Sequence, residues 1–110
     1  MSNMTPHITE QKCPNQTQEF KAILKRMYDV HLDKNADYSP QNILGTGMVG
    51  LTTRMWDKMA RLMSLEGFNI ATGEYKGERE AKNESVDDTL LDLANYAVIA
   101  LIYRQGKWGK

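Results

Sequence analysis

Three stretches of the chain repeat apolar residues every three or four positions, the spacing that lines them up on one side of an α-helix. The first runs from about Gln16 to Leu32. Phe20, Ile23, Leu24, Met27 and Tyr28, with His31 at the end, share one side, and Lys21, Lys25 and Arg26 turn away. The second runs from about Met48 to Leu65 with Val49, Met55, Trp56, Met59, Leu62, Met63 and Leu65, and Gly67 stands where a helix stops. The third is bounded most sharply. Ser85 is a good N-cap, Asp87 and Asp88 fall in the first turn where the helix dipole favours acids, Arg104 falls in the last turn and Gly106 ends it. Its stripe of Val86, Leu90, Leu93, Ala94, Ala97, Val98, Leu101 and Ile102 is broad enough to cover two neighbours.

The intervening segments lack periodicity. Asp33 to Thr46, with Asn35, Asp37, Ser39, Pro40, Asn42 and Gly45, reads as a loop. Residues 67–83 read as a loop or a short hairpin around Thr72-Gly73, anchored by Ile70 and Tyr75. Residues 1–16 are polar, carry Pro6 and Pro14, and read as a flexible arm ahead of a single helical domain over 17–110. Three long helices without a strand pattern predict an all-α fold, an antiparallel bundle. The surplus apolar surface on the third helix predicts a homo-oligomer, a dimer or higher. Trp108 is expected to pack back onto the core or onto a partner chain.

Composition narrows the function. The 110 residues suit one domain. Fourteen basic and fourteen acidic residues balance to zero net charge, which argues against nucleic acid as a direct ligand and against a general grip on an anionic membrane. No run approaches the roughly 20 apolar residues of a membrane span, and Met1 to Thr17 has no apolar core of the signal-peptide kind. Cys13 is the sole cysteine, so no internal disulfide forms, and a reducing cytoplasm is the expected location. His7, His31 and one thiol do not make a zinc site of the usual composition.

Four groupings could carry chemistry. Glu84, Asp88 and Asp92 are spaced four apart and climb one edge of the third helix, which Asn95 continues. Hard carboxylate oxygens in that pattern suit magnesium, and the alternative is a solvated acidic edge. Asp92 stands out, because two turns past the cap an acid gains little from the dipole. Arg54, Lys58 and Arg61 line up on the second helix as a cationic row for phosphates, or for interhelical ion pairs with Asp88 and Asp92. Lys34, Asn35, Asp37 and Tyr38 put a cation, an amide, an acid and a phenol into one short segment. Tyr38 could stack on a base and Asn35 or Asp37 read its edge, or the segment is a turn bonded to its own backbone. Gly45-Thr46-Gly47-Met48-Val49-Gly50 is a literal GxGxxG, but without a strand before it a dinucleotide site is not expected, and flexibility at a helix start explains it better.

The segment from Glu84 to Tyr96 resembles the second acidic helix of the MazG-like all-α nucleoside triphosphate pyrophosphohydrolases. Together with Lys34 to Tyr38 and Arg54-x-x-x-Lys58-x-x-Arg61, the chain is similar to the nucleotide modification associated domain family, small helical proteins frequent in phages and linked to modified DNA bases. The resemblance implies a nucleotide ligand and a bacterial or phage-infected cell. It further implies magnesium on Glu84, Asp88 and Asp92, with the same three as catalytic residues if the nucleotide is hydrolysed. Lys34, Asn35, Asp37, Tyr38, Arg54, Lys58, Arg61 and Asn95 would be the nucleotide contacts. The pyrophosphohydrolases carry E-E-x-x-E on the facing helix, where this chain has Arg54, Asp57, Lys58 and Arg61. The resemblance therefore leaves two functions, a magnesium-dependent pyrophosphohydrolase and a module that binds a nucleotide or nucleotide signal without cleaving it, as a sequestering or accessory protein of base modification.

Overall fold

The computed structural model describes residues 12–77 and 85–110. The chain divides into two compact units, with the boundary between residues 36 and 37.

Helix α1, Pro14–Asp37, lies in the first unit except for its last residue. Most of the arm expected over residues 1–16 lies outside the described residues, and its last three residues belong to α1. Proline suits the first helical position, where its missing N–H has no intrahelical partner to lose and its φ is already helical. The helix outlasts the expected end at Leu32 by more than a turn, so Lys34, Asn35 and Asp37 are helical rather than looped. Between Val30 and Pro40 there is no glycine or proline, and nothing local breaks the ladder until Pro40 disfavours the helical backbone at Ser39. Lys25 and Asp29 pair at 2.7 Å, one turn apart, which adds a few tenths of a kcal/mol. No residue of α1 is buried. Its apolar stripe is real but open, with Phe20, Ile23, Leu24, Tyr28 and Leu32 all exposed.

The second unit is mostly helical. It contains α2 (Gln41–Leu44), α3 (Gly47–Glu66), a two-stranded hairpin of β1 (Phe68–Asn69) and β2 (Glu74–Tyr75), and α4 (Val86–Arg104). α3 and α4 run antiparallel, Leu51 sharing a core with Ala100 while Lys58 meets Asp92. Ile43, Leu51 and Ala100 form the buried centre, and Met48, Met55, Tyr96, Ile99, Tyr103 and Trp108 pack around it. Leu65 and Thr89 are buried as well. Thr89 is wholly buried and its hydroxyl donates to the Ser85 carbonyl at 3.0 Å, so it leaves no unmet polar group.

The joint between α2 and α3 explains the glycine-rich motif. Gly47 opens α3 with a left-handed φ of +60° and is buried, and a Cβ there would lie 2.8 Å from the Tyr103 hydroxyl. The element before the motif is the short helix α2 rather than a strand. α2 itself falls inside a segment that reads as loop. Four residues cannot show a helical period, and burial of Ile43 is what holds them.

Gly67 closes α3 in the left-handed conformation at φ +79°. The hairpin beyond it pairs Phe68 with Tyr75 and Asn69 with Glu74. The Asn69 side-chain oxygen accepts from the amides of Ala71 and Thr72, at 2.9 and 3.3 Å, and its carbonyl accepts from Gly73 at 2.7 Å. Ile70 and Tyr75 do not anchor this hairpin: both are about two-thirds exposed, because Ile70 sits on the turn, and the half-buried residue is Phe68. Trp108 folds back onto its own core and its indole N–H donates to the Pro40 carbonyl at 3.2 Å. Among the described residues no helix is long and apolar enough to cross a membrane.

The N-cap of α4 is formed as the sequence predicts, the Ser85 hydroxyl oxygen accepting from the Asp88 amide at 3.0 Å. Ser85→Ala is expected to cost about 1 kcal/mol of stability, read as a lower urea midpoint at unchanged slope. A midpoint equal to wild type would show the cap to be idle.

Candidate functional site

The antiparallel register of α3 and α4 decides which charges meet. Lys58 Nζ lies 2.9 Å from Asp92 Oδ2, and the two side chains are only 23% and 28% exposed. The mid-helix acid therefore has a cation across the helix pair rather than a dipole behind it. From that contact the same register puts Arg61, one turn along α3, level with Asp88, one turn back on α4. Asp88, Asp92 and the half-buried Asn95 follow one edge of α4. Asp88 and Arg61 are exposed at the outer end of this strip.

The third cation of the row does other work. Arg54 Nη2 donates to the Asn42 carbonyl at 2.8 Å and so ties α2 to α3. Nothing in the sequence could have shown that, since the acceptor is a backbone oxygen whose position depends on the fold. Lys34 and Asn35 lie on α1, in the first unit. Asp37 and Tyr38 begin the second unit, and Tyr38 is 58% exposed. Glu84 lies outside the described residues. A depression of about 420 Å³ is bordered by Ser64, Gly67, Phe68, Asn69, Glu74, Lys76 and Gly77. It sits against the hairpin rather than at the Lys58–Asp92 pair. The pair is the better candidate, because its charged groups are partly withdrawn from water, where electrostatic contacts strengthen, whereas Glu74 and Lys76 are exposed.

Comparison with family models, with curated proteins and with solved structures returns no match to this chain. What the site can do rests on its own chemistry. A cation and an acid held at one level across two helices form a bipolar strip. Such a strip complements a ligand that itself carries both signs, such as a phosphate with its counter-cation. Among the described residues no three acids, histidines or cysteines gather as a metal cluster. Two carboxylates on one edge, Asp88 and Asp92, do match magnesium's habit of taking one or two protein carboxylates and completing its shell with water and phosphate oxygens.

Proposed function

We propose that the α3–α4 strip binds the phosphates of a nucleotide, or of a signal derived from one, and that the protein is a binding module of nucleotide or modified-base metabolism. The observation that carries this is the interhelical Lys58–Asp92 pair at about one-quarter exposure, extended by Arg61 and Asp88 at the next level. Lys58 and Arg61 would take phosphate oxygens through charge-assisted hydrogen bonds. Asp92 and Asp88 would hold magnesium, with Asn95 beside them, and the ion would supply neutralisation of the phosphate charge. The MazG-like bundle completed by oligomerisation is the architecture this reading implies.

Hydrolysis, as in a magnesium-dependent pyrophosphohydrolase, is the second reading. It needs a polarised phosphoryl group and an activated water. The facing helix α3 offers Arg54, Lys58 and Arg61 where those enzymes carry acids, and Arg54 is already engaged by Asn42. That donor set favours retention of the ligand over its cleavage.

A thermal melt against a panel of nucleoside mono-, di- and triphosphates, with magnesium and then with chelator, tests both readings. Ligand at a hundredfold over its Kd stabilises the native state by about 2.7 kcal/mol, and the expected result is a shift that Lys58→Ala removes, with the ligand recovered intact. Recovered pyrophosphate would replace binding with hydrolysis. A panel that leaves the melt unmoved would sink both.

A further inference from the structure

α4 has a second face that the core does not use. From Leu93 to Tyr103 the chain runs eleven residues without a charge, and a helix apolar on all sides is normally covered on all sides. In this chain one side packs on α3 and the other is open. Leu90, Val98 and Leu101 are 45%, 42% and 60% exposed, and Ala97 is exposed beside them. The open face has an ordered sequence. Asp87, Leu90, Ala94, Ala97, Leu101 and Arg104 follow each other at spacings of three, four, three, four and three, the seam of a helix pair.

That seam is a palindrome in chemistry. Read from the N-terminal end it runs acid, leucine, alanine, alanine, leucine, base. A two-fold axis midway between Ala94 and Ala97 would set Leu90 of one copy against Leu101 of the other, and Ala94 against Ala97. At both ends it would set Asp87 against Arg104. Within one chain Asp87 and Arg104 stand at opposite ends of a 19-residue helix, about 25 Å apart, so they cannot pair in cis. An isologous contact needs a surface complementary to itself, and this face supplies that in shape and in charge.

We propose that two copies of this chain pair through the outer face of α4, antiparallel, about an axis between Ala94 and Ala97. The alanines let the helices approach to the short end of the usual 8–10 Å range. One helix pair buries on the order of 500 Å² per copy, below the roughly 800 Å² per partner of a standard interface, so the dimer is of micromolar strength. The seam lies on the opposite side of α4 from Asp92. Disruption of the dimer therefore leaves the Lys58–Asp92 strip in place, and the pairing does not rest on the function proposed above.

Sedimentation velocity over a dilution series up to roughly 100 µM tests the pairing, and charge reversal tests its register. Asp87→Arg alone would bring two bases together at both ends, and Arg104→Asp alone would bring two acids together. Each variant is expected to dimerise roughly 3- to 30-fold more weakly than wild type. In an equimolar mixture the two variants form a heterodimer in which one copy is basic at both positions and the other acidic at both, so position 87 of each meets position 104 of the other as an opposite pair at both ends, if the axis is as proposed. The mixture is therefore expected to associate more tightly than either component alone, and the double variant carrying both reversals, which also restores an opposite pair at each end, is expected to regain wild-type dimer strength. Leu101→Glu is expected to stay monomeric with unchanged helix content by circular dichroism. A wild-type monomer throughout the series would overturn the proposal. So would a dimer that Leu101→Glu leaves intact, or a double variant that associates no better than either single one.

Discussion

Leu51→Ala should lower the stability of the α3–α4 unit by about 3–5 kcal/mol, the upper part of the range for removing a buried leucine side chain. Leu51 is fully buried and clusters with Ile43 on α2 and Ala100 on α4. Few side chains could close the gap. Among the described residues only Ile43, Leu51, Leu65 and Ala100 are buried hydrophobics, and Ala100 has no reach. Small domains have total stabilities near the bottom of the 5–15 kcal/mol range, so the variant would be substantially unfolded at room temperature. Val49, two residues away and 78% exposed, is the control. Val49→Ala should change stability by less than about 0.5 kcal/mol, because it removes little buried surface and replaces a β-branched residue with a better helix former. Urea titrations followed by circular dichroism compare the two. Equal midpoints would mean that the Leu51 cluster is not the centre of the fold.

The second large effect is expected at Gly67. Its left-handed φ already costs any L-residue about 1 kcal/mol or more. The surroundings add to that. A Cβ at this position would run into the Gly77 carbonyl oxygen, and the neighbouring Gly77 backbone leaves no side chain that could swing aside. The Gly67 carbonyl also accepts from the Lys76 amide at 2.7 Å, and its own amide donates to the Ser64 carbonyl at 3.2 Å, so the residue is held on both sides. Gly67→Ala should therefore cost about 2–3 kcal/mol. It should also speed amide exchange at Lys76 and Gly73 beyond the general loss of stability, as the hairpin is pushed off α3. Gly73 has a similar φ of +75° but open space around it. Gly73→Ala should cost only the backbone term, about 1 kcal/mol. A Gly67→Ala variant no less stable than Gly73→Ala would contradict the close approach to Gly77.

The contrast between α4 and α2 shows which parts of this fold are legible in sequence. For α4, the cap at Ser85, the acids at Asp87 and Asp88, the periodic stripe and the base at Arg104 all lie within or beside the helix and all agree, so its limits can be read directly. α3 is readable for the same reason, with Gly67 as its stop. α2 is not, since a single turn has no period and its stability comes from Ile43 meeting Ala100, far along the chain. The existence of α1 is legible but its end is not. Asparagine and aspartate between Leu32 and Pro40 resemble a loop when counted by type, yet tolerate a helix when no proline intervenes. The site divides similarly. Asp92 is conspicuous as an acid too far from the cap, and Lys58 as one of a row, but only the register of two helices selects Lys58 over Arg54 and Arg61 as its partner. The roles of Asn42 and Pro40 lie in their carbonyls, to which residue type gives no clue.

The hydrogen bond from Trp108 to Pro40 has a consequence for how the protein is made. Its two ends are separated by 68 positions, and the core it seals takes Ile43 from one side of that span and Ala100 and Tyr103 from the other. During synthesis α3 is complete long before its cover exists. Leu51, Met48 and Met55 then face solvent on a nascent helix until α4 and the turn up to Trp108 have left the ribosome. A partly made chain with exposed apolar surface is the form most prone to aggregation and to capture by chaperones. Folding of this unit on the ribosome therefore waits for Trp108 to emerge, and stalling before that point would leave α3 as a ligand for the cell's holdases.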